Sequence, residues 1–131
     1  LKENDTLTKL NLYGNEIGDE GARELATALK DNKNIKLTKL NLRDNDIGAK
    51  GARELAAALL VNNTLTKLYL DMNEIGDEGA QALAMALLKN NTLAFLDLRR
   101  TSLNDKKLGK VMIEIFKSLP RLKRGALEIR F

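Results

Sequence analysis

What chemistry this sequence carries lies in a few lysines, aromatic rings and arginines set at repeating intervals. Lys9, Lys39 and Lys67 recur at steps of 30 and 28 residues, and Tyr13, Tyr69 and Phe95 are three of the five aromatic residues among 131. Arg43 and Arg99 fall at matching steps with Asp71 between them, and Asp97 and Met72 stand beside that set. Such groups recognise other molecules by charge and apolar contact. Covalent chemistry has little to start from. With no Cys and no His, a disulfide framework, a Cys/His zinc site and Cys- or His-centred catalysis are excluded. No nucleophile, base and orienting group stand together, so the reading is of a binding protein and not an enzyme.

The elements that position these residues come from one unit copied along the chain. LTKLNLYGNEIGDEGARELATAL from Leu7 returns as LTKLNLRDNDIGAKGARELAAAL from Leu37 and as LTKLYLDMNEIGDEGAQALAMAL from Leu65, with a degraded fourth copy at Leu93. Self-similarity at such a period predicts a solenoid in which each unit packs on its neighbours. In the first half of the unit, apolar residues alternate at Leu10 and Leu12, as in a short strand with one buried face. In the second half, Ala22, Leu25, Ala26 and Leu29 follow a helical stripe. The pattern predicts strands near Lys9–Tyr13, Lys39–Arg43, Lys67–Asp71 and Phe95–Arg99. Helices are predicted near Asp19–Lys30, Ala49–Val61, Asp77–Lys89 and Asp105–Leu119. Asp19 and Glu20 are placed to cap the first helix and favour its dipole. The first unit is two residues longer through KDNKNIK, an insertion in the helix-to-strand turn, where added length costs little.

Three near matches to binding motifs fail on their own residues. DMNEIGDEGAQA from Asp71 begins like a calcium loop, but Ile75 and Ala82 stand where oxygen ligands are needed. Gly14, Gly18 and Gly21 lack the Lys-Ser/Thr of a phosphate loop. Asn4-Asp5-Thr6, Asn62-Asn63-Thr64 and Asn90-Asn91-Thr92 are one turn copied, not glycosylation signals. No metal, and no small-molecule cofactor, is expected.

The motif L-x-x-L-x-L-x-x-N-x-I, carried by Leu7, Leu10, Leu12, Asn15 and Ile17 and repeated with near-identical residues, resembles the leucine-rich repeat proteins, specifically their ribonuclease-inhibitor-like subfamily. The resemblance spans nearly the whole chain. It implies an α/β solenoid of about four repeats plus a C-terminal cap, with parallel strands on the concave face and helices on the convex face. It also implies a single domain over 1–131: the tail of a truncated repeat at 1–6, repeats at 7–103, and a capping helix and edge strand at 104–131. The chain starts mid-helix without Met, so it is read as a fragment of a larger intracellular, cytoplasmic protein. No apolar run approaches membrane-spanning length.

Within that frame Asn15, Asn45 and Asn73 form a structural ladder, their amides meeting backbone groups left by strands turning into loops. Thr101 replaces the Asn in the fourth unit and meets part of the same demand. The fourth helix carries Lys107, Leu108 and Met112 in place of Gly21, Ala22 and Ala26, followed by Val111, Ile115, Phe116 and Leu119. It reads as the cap, with Pro120 ending it, LEIRF as a fifth strand and Phe131 packing beneath. At the other end the flank of Leu7, Leu10, Leu12, Ile17, Leu25 and Leu29 lacks a preceding neighbour. The first strand is an open edge, so self-association through the N-terminal repeat is expected.

Residues between the strand leucines point to the concave face. The candidate partner-binding set is Tyr13, Arg43, Lys67, Tyr69, Met72, Phe95, Asp97 and Arg99. Arg43, Asp71 and Arg99 are read as a column of alternating sign that satisfies itself. Another protein is the expected partner. The resemblance implies partners as different as nucleases, immune components, actin (in tropomodulin and leiomodin) and a small GTPase, so GTPase regulation and actin or cytoskeleton binding are the named alternatives. Charge is segregated as well: residues 1–98 carry a net −3 and residues 99–131 a net +7. A basic end can meet an acidic partner or nucleic acid. Without an aromatic-rich RNA motif or a recognition helix, nucleic acid is the minor reading.

Overall fold

A computed structural model of the chain describes residues 1–103, 115, 118, 119 and 125–131. Its elements alternate: β1 Lys9–Asn11, α1 Gly18–Asp31, β2 Lys39–Asn41, α2 Ala49–Leu59, β3 Lys67–Tyr69, α3 Gly76–Leu87, β4 Phe95–Asp97 and β5 Glu128–Arg130. The strands form one parallel sheet in the order β1-β2-β3-β4-β5, and the helices pack side by side behind it. This is the α/β repeat solenoid the period predicts. The fifth strand at the C-terminal end is present and pairs with β4.

Leu10, Leu40, Leu68, Leu96 and Ile129 stand in register across the sheet and face the helices. Leu37, Leu42, Ile47, Leu65, Leu70 and Ile75 complete a continuous core in which each unit is closed by the next. Each strand is two residues shorter than the alternation predicts. In β2 and β4 the reason is local: Asn41 Oδ1 accepts the Arg43 N–H (3.0 Å) and Asp97 Oδ1 accepts the Arg99 N–H (3.1 Å), taking those donors from the ladder, while Asn11 Oδ1 accepts the Tyr13 N–H (3.1 Å) at the open edge of β1. The backbone then turns through a left-handed residue, Gly14 in the first unit but Asp44, Met72 and Arg100 in the others, with φ between 53 and 70°. An L side chain there is strained by about 1–2 kcal/mol, so the position is held by its surroundings.

Asparagine forms the expected ladder, except at its open end. Asn45 Nδ2 donates to the Leu12 and Arg43 carbonyls (2.8 and 3.0 Å), while its Oδ1 accepts from the Asn15 and Ile17 N–H groups (2.9 and 3.3 Å). Asn73 repeats this one unit on, donating to Leu42 and Leu70 and accepting from Asn45 and Ile47. Asn45 and Asn73 are 0% and 2% exposed, whereas Asn15 is exposed and reaches only Leu12 and Tyr13 of its own unit. Thr101 donates one bond, to the Leu98 carbonyl (2.6 Å).

A second ladder runs through the helix-to-strand turns. Asn62 donates to the Leu29 carbonyl and accepts from the Thr64 and Leu65 N–H groups; Asn90 donates to Leu59 and Asn62 and accepts from Thr92 and Leu93. Asn32 begins it by donating to the carbonyls of Leu1 and Asn4. The letters that spell glycosylation sequons are therefore turn and cap residues, and Asn62 and Asn90 are buried.

Three sequence expectations need correction. Asp19 does not cap its own helix; its Oδ1 accepts the N–H groups of Gly48 (2.7 Å) and Gly51 (2.9 Å), at the start of α2. A Cβ on Gly51 would lie 2.8 Å from that same oxygen and 3.0 Å from Ala22 Cβ, so close helix packing and the cross-repeat cap both need glycine there. Leu29 is buried, because Asn62 and α2 cover the end of α1, while Leu7, Leu10, Leu12, Ile17 and Leu25 stay half-buried as expected. Phe131, expected to pack beneath the cap, is 55% exposed. The helix at Asp105–Leu119, with Phe116 at its centre, lies outside the described residues apart from Ile115, Ser118 and Leu119; Leu119 is buried.

Candidate binding face

The strand register sets the side chains of the open sheet face in rows. Lys9, Lys39, Lys67, Phe95 and Glu128 form one row; Asn11, Asn41, Tyr69, Asp97 and Arg130 form a row of the neighbouring register. Past the strand ends Tyr13, Arg43, Asp71 and Arg99 continue the series, tied by Gly14 N–H to Arg43 O (3.1 Å), Asp44 N–H to Asp71 O (3.1 Å) and Met72 N–H to Arg99 O (3.0 Å).

At the centre Tyr69 and Phe95 pack with ring centroids 5.0 Å apart and planes tilted by 42°. Each ring also carries a cation: Lys39 Nζ lies 5.1 Å from the Tyr69 centroid, and the Arg130 guanidinium 5.0 Å from that of Phe95. Such pairs contribute about 0.5–1 kcal/mol each where exposed. Both rings are half-buried, and Tyr13, on the first unit, is 52% exposed beneath the Arg43 guanidinium at 5.3 Å.

Arg43 joins three repeats. It covers the Tyr13 ring, its Nε lies 3.3 Å from Asp71 Oδ2, and its Nη2 donates to Met72 Sδ at 3.3 Å. Arg99 does not complete the expected alternating column. It folds back along its own strand and grips Asp97 with Nε to Oδ1 (2.9 Å) and Nη2 to Oδ2 (2.6 Å), while its N–H donates to the same carboxylate. Asp97, read from the sequence as part of the exposed face, is consequently 1% exposed.

The two carboxylates therefore differ sharply. Burial works against the Asp97 anion, but the side-chain bond, the backbone bond and the charge of Arg99 outweigh it and hold the carboxyl below the usual carboxylate value. Asp71 is 4% exposed and its Oδ1 has no hydrogen-bond partner among the described residues. Burial, and then the neighbouring Asp97, push its carboxyl up against the opposing pull of Arg43. Asp71 forms the floor of an open depression of about 220 Å³ lined by Arg43, Met72, Arg99 and Arg100.

The structure thus brings together Tyr13 with Arg43, Arg43 with Asp71 and Met72, Tyr69 with Phe95, and Asp97 with Arg99. Lys67 stands apart, exposed and without an ion pair among the described residues. Sequence reasoning missed Arg130, whose place over Phe95 depends on β5 pairing beside β4. It also missed an apolar patch on the helix side: Leu60, Val61, Met85 and Leu88 are each 44–64% exposed. Aligning the copies exposes that signal, since the same places in the first unit hold Lys30, Asp31, Thr27 and again Lys30. Among the described residues no group of acidic side chains is placed to hold a metal ion, and no helix is long and apolar enough to cross a membrane.

Comparison with known proteins bears on the fold. The pattern of the Leucine Rich repeat family matches residues 3–26, 33–56 and 61–84. Curated proteins give no match. Among solved structures, leiomodin-1 actin-binding site 2 superposes with a TM-score of 0.77 at 28% identity, covering 87% of this chain and 66% of that one, so this chain spans just under two thirds of its length. The tropomodulin C-terminal domain of Caenorhabditis elegans superposes over 93% of this chain and 91% of that one, with a TM-score of 0.52 at 18% identity, a likeness of fold alone.

Proposed function

This chain belongs to the leucine-rich repeat family, and we propose that it is a rigid curved scaffold which binds another protein on its concave sheet face. The observation that carries this reading is the Tyr69–Phe95 pair, partly exposed at the centre of the sheet and rimmed by Lys39 and Arg130. Partly buried aromatics beside arginine are the residue types that dominate protein interfaces. Tyr13, Arg43, Lys67, Met72, Asp97 and Arg99 surround them, with Asp97 acting through the guanidinium it fixes. Placement within the ribonuclease-inhibitor-like subfamily rests on the repeat length and motif. The same reading sets the protein in the cytoplasm, with repeats over 7–103 flanked by a turn at 1–6 and a cap over 104–131.

Affinity capture with the intact chain tests the reading. A partner retained by the wild type and lost by Tyr69→Ala and Phe95→Ala, but kept by Arg53→Ala on the helix side, supports the concave face. Capture lost only by the helix-side variant moves the site to the convex surface.

Actin is the partner class favoured by a specific observation, the 28% identity to leiomodin-1 actin-binding site 2 over most of this chain. Co-sedimentation with filaments and a monomer-binding assay decide it. GTP hydrolysis by candidate small GTPases, measured with and without the protein, tests the regulatory alternative; acceleration there would displace the scaffold reading.

A further inference from the structure

The face has a charge surplus that it does not consume. Its carboxylates are each taken by a neighbouring arginine: Asp71 by Arg43 (3.3 Å), Asp97 by Arg99 (2.6 Å) and Glu128 by Arg130 (2.8 Å). Lys9, Lys39 and Lys67 remain, paired residue to residue across β1, β2 and β3, with no carboxylate in ion-pair range among the described residues. Strands lie about 4.8 Å apart, so the sheet holds like charges in a line where they repel. The same row continues through Phe95, beside Tyr69, to Glu128, whose charge Arg130 holds.

From this row, and resting on the scaffold reading above, we infer that the concave face takes an extended acidic segment of a partner protein laid across the strands. The row supplies a length as well as a charge. From Lys9 to Lys67 is two strand steps, about 10 Å, which an extended chain covers in roughly three residues. One more step reaches Phe95. Side chains of an extended chain return to one face every second residue, about 6.8 Å, so the matching segment carries Asp or Glu at positions i and i+2, over the lysines, and an apolar side chain at i+4, about 14 Å along, on the Tyr69–Phe95 pair.

A nucleic acid also carries closely spaced anions, but it draws its binding from bases stacked on flat ring faces. Here Lys39, Arg130 and Arg43 already lie over Tyr69, Phe95 and Tyr13. The rings meet a ligand at their edges and rims, which suits an aliphatic side chain better than a base.

The test uses the whole chain and a fluorescent peptide Glu-Ser-Glu-Ser-Leu between Gly-Ser flanks, its alternate side chains matched to the row by strand spacing. Two further probes are the same peptide with glutamine for glutamate, and an oligothymidine of equal charge. Saturable binding of the acidic peptide is expected. Raising salt until the Debye length falls from about 10 Å to about 3 Å should weaken it. The triple variant Lys9→Gln/Lys39→Gln/Lys67→Gln, checked for an unchanged circular dichroism spectrum, should weaken it by at least about tenfold, while Lys50→Gln on the helix side leaves it unchanged. Equal binding of the glutamine peptide, tighter binding of the oligothymidine, or indifference to the triple variant overturns the inference. The scaffold reading fails separately. If a captured partner is lost on Tyr69→Ala but unaffected by the lysine variant, the face stands and its acidic specificity falls. If neither variant matters, the face itself is wrong.

Discussion

The first and third repeats have nearly the same sequence and lead different lives. Leu65, Leu68, Leu70, Ile75 and Leu83 are all but fully buried, whereas their counterparts Leu7, Leu10, Leu12, Ile17 and Leu25 are half-buried. Asn73 is enclosed by bonds to two units; Asn15 is exposed. A repeat unit therefore does not own its core. The same leucine stabilises by an amount that its two neighbours decide, which is why solenoid stability behaves as a sum of unit and interface contributions. Matched substitutions in the two repeats turn that statement into numbers.

The largest difference is expected in the strand. Leu68→Ala opens a cavity with neighbours on both sides and should cost about 3–4 kcal/mol, while Leu10→Ala should cost about 1–2 kcal/mol, since part of its surface is already wet. Urea unfolding of both variants measures this, and equal losses would mean that the first repeat is as enclosed as the third. The asparagine pair comes next. Asn73→Ala strands the buried N–H groups of Asn45 and Ile47 and should cost about 2–3 kcal/mol. Asn15→Ala, whose partners lie at the surface of its own unit, should stay below about 1 kcal/mol. A reversed order in that pair would remove the ladder as a source of stability.

Function inverts where the two repeats differ in sequence. The row position of Asn11 becomes Tyr69, which gains Phe95 as a neighbour that the first repeat lacks. Tyr69→Ala should weaken partner binding by more than about 1 kcal/mol with the melting transition little moved, and Tyr13→Ala should weaken it less. Calorimetric titration of the captured partner against both variants reads the difference. A Tyr13 effect equal to that of Tyr69 would spread the site evenly over the sheet.

Period and spacing made the architecture legible. Two alternating leucines gave each strand, a helical stripe of Ala and Leu gave each helix, and one repeated Asn gave the first ladder, because all of these depend on neighbours in sequence. What escaped depends on neighbours in space. Asp19 looks like a cap for its own helix until the next repeat brings Gly48 and Gly51 closer. Asn62 and Asn90 read as polar turn residues until the preceding turn's carbonyls appear above them. Asp97 alternates with Leu96 and Leu98 as an outward residue should, yet Arg99 returns onto it between Tyr69 and Arg130 of the flanking strands and it is buried. The exposed Leu60, Val61, Met85 and Leu88 follow the apolar composition of a helix without sharing its buried stripe.

The smallest effect is the most specific, because it sets two carboxylates on adjacent strands against each other. Asp71 holds the place that Tyr13 has in the first repeat, and Asp97 lies one strand away. The folded state lowers the Asp97 pKa, so that group adds stability above the usual carboxylate value and loses it as pH falls through the lowered one. The Asp71 pKa is raised, so its sign is opposite: it subtracts stability as pH rises from the usual value through the raised one, and protonation relieves it. Asp97→Asn should therefore destabilise at neutral pH, by about 1–2 kcal/mol for a charged bond whose arginine is half in water. Asp71→Asn should be neutral or stabilising by up to about 1 kcal/mol, since an amide at the same place has no charge to desolvate. In acid, with both carboxyls protonated in the wild type, the two differences should shrink together. Unfolding free energies of the three proteins across that pH range check it. If Asp71→Asn is instead the more damaging change at neutral pH, the Arg43 bridge outweighs burial, and the unpartnered Oδ1 is a consequence of a strong ion pair.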